Sequence, residues 1–339
     1  VSQQRYKNVE KRVPLHMFTV NEIQGFVKQG IQNLIEAYAE NKLHQPVEYA
    51  LSGGGKRLRP VLCLMAYNIF SDTLPTSVLH PALGLEVYHN FTLVHDDVMD
   101  CSEWRRNRLT VHKKWDVNTA ILAGDAMYVL AYKYIAQCPP QVLSGVLEAF
   151  NKAADRVCEG QQMDMQFEKQ PYVTEADYID MISRKTGALL AFSFQLGGLC
   201  AEAPESVIQN LYNAGMALGI AFQIRDDYLD VFGRTEVLGK NTGSDIANNK
   251  KTWLLTYAMH HAQGEDKTTL NQLLAEENTW ERTEKIIAIF EALGIKEKAE
   301  ERIAFYMEEA LAGLNHPDIP QARTSGLVEF MEQLSVREK

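Results

Sequence analysis

The sequence predicts an all-α protein, a single-domain bundle of antiparallel helices around a central cavity. Apolar residues recur at helical spacing through nearly the whole chain, and no segment shows convincing strand alternation. Across the 339 residues no Pro/Gly/Ser linker or low-complexity tract separates one part from another. Residues 1–339 therefore read as one domain, although length alone would allow two. A composition of 46% hydrophobic and 23% charged residues permits a large core in a soluble protein.

Helices are expected over about 21–50, 58–71, 77–100, 117–137, 141–168, 174–200, 205–232 and 247–262, with shorter pieces to 336. Pro139-Pro140, Gln170-Pro171 and Ala203-Pro204 punctuate them, and Thr174 to Asp177 reads as a capping box. The longest weakly polar stretch, Gly187 to Ala201, is below membrane-span length and interrupted by Ser193 and Gln195, so it reads as a tightly packed core helix and no membrane span is expected. The N-terminus is polar without an apolar signal core, and the missing initiator Met suggests processing or trimming. Five cysteines without metal-like spacing suggest reduced thiols and a cytoplasmic location, with Cys101 incidental.

The pentapeptide Asp96-Asp97-Val98-Met99-Asp100 recurs in form as Asp226-Asp227-Tyr228-Leu229-Asp230. Each copy follows an apolar run, Val87 to Val94 and Met216 to Ile224. Helical residues four apart lie about 40° apart around the axis, so Asp96 and Asp100 share a face, as do Asp226 and Asp230. A lone copy is ordinarily a solvated helix face or a cap; two copies behind apolar helices suggest a shared cation site. The Asp/Asn pattern and glycine of a calcium loop are absent, which favours magnesium. Magnesium takes one or two carboxylates and completes its shell with water and phosphate, so the missing ligands point to a diphosphate.

A diphosphate also needs cationic donors. The net charge of −10 argues against nucleic acid as a partner, yet local clusters run the other way. Ser52-Gly53-Gly54-Gly55-Lys56-Arg57-Leu58-Arg59-Pro60 is a glycine turn leading into cations, suited to phosphate oxygens though distinct from the nucleotide P-loop. Read blandly, it is a flexible connection between helices. Arg105-Arg106-Asn107-Arg108 begins five residues after Asp100, placed either to compensate charge or to hold further phosphate oxygens. The upstream glycine-lysine run favours the second reading. Lys185-Thr186, Lys240 and Lys250-Lys251 would singly pass for surface decoration.

Taken together, Gly54 to Pro60, His95 to Asp100 with Arg105-Arg106, Lys185-Thr186-Gly187, Phe222 to Asp230, Gly239-Lys240 and Asp245 to Thr252 resemble the trans-isoprenyl diphosphate synthases, in the family's order and over about residues 52–252. The resemblance implies an isoprenoid-synthase-type bundle in which an allylic diphosphate ionises, isopentenyl diphosphate attacks the cation and a proton is lost. It implies Mg2+ as cofactor, three ions per site with Mn2+ as a substitute, and a homodimer. By similarity Asp96, Asp100 and Asp226 ligate the metal with Asp97, Asp227 and Asp230 in support. Arg105, Lys185, Lys240 and Lys250 match contacts to the allylic diphosphate, and Lys56, Arg59, His89 and Arg106 match the isopentenyl diphosphate site. Thr186 and Gln223 match polar positions lining the cation pocket. Asn107, Leu109 and Asn249 depart from the family's usual glycine, proline and glycine; asparagine tolerates the left-handed backbone, so both loops can survive. A class I terpene cyclase would leave Lys56, Arg59 and His89 idle, and a noncatalytic subunit of a heteromeric synthase would typically lose carboxylates, whereas both clusters are complete.

The resemblance also places chain-length control at the fifth and fourth residues before the first aspartate, Phe91 and Thr92. On an ideal helix Thr92, Tyr88 and Leu85 lie within about 80° of Asp96 but Phe91 about 140° away, so Tyr88 is expected to share the floor. Two rings there imply a product of fifteen or twenty carbons.

Overall fold

The computed structural model describes residues 17–39, 43–233 and 243–335. Helices α1 (Val20–Ala37), α2 (His44–Leu51), α3 (Leu58–Asn68) and α4 (Thr76–Met99) lead to a hairpin, β1 (Trp104–Arg105) and β2 (Arg108–Leu109). There follow α5 (Val111–Lys114), α6 (Val117–Ile135), α7 (Leu143–Glu168), α8 (Glu175–Ile182), a π-helical segment Ser183–Gly187, α9 (Ala188–Cys200) and α10 (Glu205–Phe232). The remainder is α11 (Ser244–Ala247), α12 (Trp253–His261), α13 (Gly264–Ala275), α14 (Trp280–Ala292), α15 (Ile295–Ala312) and α16 (Ser325–Ser335). No described helix is long and apolar enough to cross a membrane.

Patterning explains the layers. In α9 almost every residue is apolar and buried, so it occupies the centre, packed between α3 and α10 and also against α7. The carboxylate helices are buried on every face over residues 81–88 and 218–221: α4 lies along α6, and α10 lies against α9 and α15. All five cysteines are free thiols.

Three expectations change. The helix anticipated over 21–50 is two helices, the first capped at Tyr38 and the second opening at His44. Pro46 marks that start, because proline is tolerated in a first turn but breaks a helix interior. The helix anticipated from 247 begins at Trp253, capped by Thr252, because Asn249 turns the chain through φ 53°. Finally, Arg105 and Arg108 pair across a strand hairpin whose corner residues, Arg106 and Asn107, have φ 51° and 59°. This is the left-handed corner of a type I′ turn, and strands of two residues are too short for alternation to reveal.

Close backbone approach fixes the π-helical segment. A Cβ on Gly160 of α7 would stand 2.3 Å from the Lys185 amide nitrogen and 2.7 Å from its Cα, and one on Gly219 of α10 would stand 2.6 Å from the Gly187 Cα. Gly160→Ala should therefore force backbone apart and cost about 1–3 kcal/mol, as overpacking does. Thermal melting checks this, and a wild-type melting temperature would show that the segment is not clamped.

Candidate active site

A cavity of about 620 Å³ opens between the carboxyl-terminal halves of α4, α7 and α10, the π-helical segment, the 53–59 turn and the hairpin. Of the six aspartates, Asp96, Asp100 and Asp226 line it. The other three turn to protein partners. Asp97 accepts from Arg105 Nε at 2.7 Å. Asp230 accepts from Ser244 Oγ at 2.6 Å and the Asp245 amide at 2.9 Å. Asp227 accepts from the Tyr178 hydroxyl, from Gln223 Nε2 at 3.1 Å and from the Trp253 amide at 2.9 Å. Burial, then the nearby Asp245, raises the Asp227 carboxyl to about 7 against those hydrogen bonds. Asp96 is raised by burial and by Asp100, with Lys185 pulling it back.

Cations surround the same space. Lys185 Nζ donates to Asp164 Oδ2 at 2.6 Å. Irregular π-helical backbone is a common device for presenting functional side chains, and here it presents both Lys185 and Thr186. Thr186 Oγ1 donates to Gln223 Oε1 at 2.8 Å, joining the cavity wall to buried Asp227. Lys250 lines the cavity after the Asn249 turn; burial pulls its pKa down, but Asp245, Asp164, Asp227 and Asp100 outweigh this and hold it up. Lys240 lies outside the described residues.

At the other end the glycine turn and the hairpin close on each other. Gly54 and Gly55 have φ 77° and 107°, and the Arg106 guanidinium donates to the Gly54 carbonyl and rests where a Gly55 Cβ would be, 2.8 Å away. Lys56, Arg59, His89 and Arg106 all line the cavity here. Burial and the neighbouring Arg59 and Arg106 push the His89 imidazole well down, so it is neutral. Burial lowers Arg59 to about 10.

The sequence reading missed the groups that organise these ends. Glu86, 1% exposed, accepts from Arg57 Nη1 at 2.6 Å and from Asn90 Nδ2 at 2.8 Å. Its signal was a carboxylate inside an apolar stretch of α4, three residues before His89 and so on nearly the same face. Gln161 and Asp164 lie three apart on the buried stripe of α7, directly after Gly160. Tyr178 carried no such signal, since a buried tyrosine is ordinarily core.

The residues present fit divalent cations. The donors are oxygen only, and among the described residues no three ligating side chains stand close enough to enclose an ion. Such a site must draw further ligands from water and phosphate, the usual situation for magnesium.

Residues 40–293 match the polyprenyl synthetase family. The chain belongs to that family. It is similar to the geranylgeranyl pyrophosphate synthase of Geoglobus acetivorans, 36% identical over 314 residues that cover 92% of this chain and 96% of that one. It also resembles the solved geranylgeranyl pyrophosphate synthetase of Pyrococcus horikoshii Ot3, with TM-score 0.86, 33% identity and coverage of 94% and 98%. A further likeness is the Corynebacterium glutamicum geranylgeranyl pyrophosphate synthase complexed with isoprenyl diphosphate and magnesium, with TM-score 0.81, 26% identity and coverage of 93% and 98%. The chain is thus a prenyltransferase of the short-chain trans-prenyl diphosphate synthase type, using isoprenoid diphosphates and a divalent metal. Neither the cyclase nor the noncatalytic reading gains support from these likenesses.

Removing Glu86 should leave Arg57 as an uncompensated, largely buried charge. Glu86→Ala is expected to lose about 3–5 kcal/mol of stability, the usual result of breaking one side of a buried pair. Denaturant unfolding measures it; a loss under about 1 kcal/mol would mean that the pair is in effect solvated.

Proposed function

We propose that this single catalytic domain condenses isopentenyl diphosphate head-to-tail with allylic diphosphates to a twenty-carbon product. The observation that supports the proposal is one cavity lined both by carboxylates with lysines and by a second group of cations. Carboxylates Asp96, Asp100 and Asp226 with Lys185 and Lys250 form one group in its wall, and Lys56, Arg59, His89 and Arg106 the other.

Asp96 and Asp100 on one wall and Asp226 on the other would hold the divalent metal, magnesium with manganese as a substitute and three ions in all. Bound there, it would neutralise negative charge growing on the departing diphosphate. Asp97, Asp227 and Asp230 support the site by fixing Arg105, Tyr178, Gln223 and the 244–253 backbone rather than by lining the cavity. Lys185, oriented by Asp164, and Lys250 hold the leaving group's outer oxygens, and Arg105 and Lys240 take their place in the same contact set. Lys56, Arg59, Arg106 and neutral His89 bind the diphosphate that is not ionised, with no metal between. Thr186 and Gln223 turn polar oxygens toward the developing allylic cation. The lost proton passes to the released diphosphate, whose oxygens are the strongest base at hand.

Twenty carbons is the length in the names of the Geoglobus and Pyrococcus relatives. A homodimer is supported by the outer face of α6, where Val117, Ile121, Leu122 and Val129 are 40–54% exposed. Incubation with magnesium, isopentenyl diphosphate and dimethylallyl diphosphate, followed by product chromatography, tests the activity and the length together.

Two results are expected from variants. Asp96→Ala and Asp226→Ala should each lower turnover by about a hundredfold or more with the helical circular dichroism signal unchanged. Near-normal turnover in either folded protein would contradict a shared metal site. Lys56→Ala or Arg59→Ala should raise the isopentenyl diphosphate KM about tenfold while leaving allylic KM unaffected, as loss of ground-state binding does. The reverse pattern would exchange the two ends.

A further inference from the structure

We propose that Phe150, on α7, is a product-length determinant that closes the hydrocarbon end of the cavity opposite Tyr88. The assignment rests on the proposed chain elongation in this cavity and names the side chain that stops it.

Thr92 on α4 and Val157 on α7 are both in the cavity wall. Tyr88 stands four residues before Thr92, and Phe150 seven before Val157. Seven residues bring a helix almost back to the same face, about 20° off, two turns further from the carboxylates. At that depth the two rings meet edge to face, with centroids 5.2 Å apart and planes at 83°, and both residues are 0% exposed. Phe192 of α9 lies 5.7 Å behind Phe150, and Tyr132 of α6 lies 4.8 Å to its side. The rings thus form a plug across four helices.

Phe91 lies to one side of this contact. Its ring packs on Tyr88 at 5.3 Å, on Tyr128 at 5.3 Å and on His95 at 4.8 Å, toward α6. The ring that meets Tyr88 from the other side comes from α7.

A growing tail must find space at this depth or stop. Removing a buried ring leaves an apolar void that water does not fill favourably, and an additional isoprene unit is a better occupant. The test is product chromatography for Phe150→Ala and Phe150→Leu, supplied with isopentenyl and dimethylallyl diphosphates and magnesium. Phe150→Ala should shift the main product by at least one five-carbon unit, with kcat/KM for the first condensation within about threefold of wild type. Phe150→Leu, which keeps more of the volume, should retain the wild-type main product with a longer minor fraction. An active Phe150→Ala enzyme with the wild-type distribution would overturn the assignment. If Phe150→Ala does not fold, active Phe150→Leu with no longer fraction overturns it. A wild-type chain that forms no prenyl product would instead refute the underlying function, and this assignment with it.

Discussion

Six aspartates from two helices cannot all face one partly enclosed cavity as bare anions, because like charges repel strongly where solvent is thin. The fold divides them. Asp97, Asp227 and Asp230 are spent on protein donors: a guanidinium, a tyrosine and a serine hydroxyl, an amide side chain and backbone amides. Asp96, Asp100 and Asp226 face the cavity, with Lys185 and Lys250 near them. That division sets the geometry around it: the π-helical segment that delivers Lys185, the turn at Asn249 that delivers Lys250, and the docking of α12 through the Trp253 amide.

The opposite end presents the same difficulty with the sign reversed. Arg57, Arg59 and Arg106 approach one another with His89 among them, and each arginine disfavours a charge on that imidazole. Glu86 is the buried counter-charge, bound to Arg57 and felt by Arg59 and Arg106. The end stays cationic enough to attract a diphosphate while its own repulsion is contained. Strained backbone accompanies it: Arg57 and Arg106 both have positive φ, the kind of local cost that surrounding contacts at functional sites uphold.

Much of this was legible in the sequence because chemistry and periodicity coincide there. Two Asp-Asp-x-x-Asp runs behind apolar helices, a glycine turn before Lys56, and Arg105-Arg106 after the first cluster specify charges at helix ends, and helix ends are where the fold puts a cavity. What stayed hidden depends on tertiary contact. Helical spacing cannot say which aspartate of a cluster meets an arginine and which meets open space. Nor can it show that Glu86 and Asp164, isolated acids on apolar faces, each find a cation, or that Phe150 meets Tyr88 across 62 residues of chain. The left-handed corner at Asn107 and the turn at Asn249 were within reach, since asparagine is the residue that best replaces glycine there.

The division of the aspartates is tested most directly by anomalous diffraction from crystals grown with Mn2+ and inorganic pyrophosphate. Metal peaks should fall between the carboxylates of Asp96 and Asp100 on one wall and Asp226 on the other, each sharing pyrophosphate oxygens, while Asp97, Asp227 and Asp230 keep their protein partners. Metal bound directly by Asp97 or Asp227, or confined to one helix, would contradict the account.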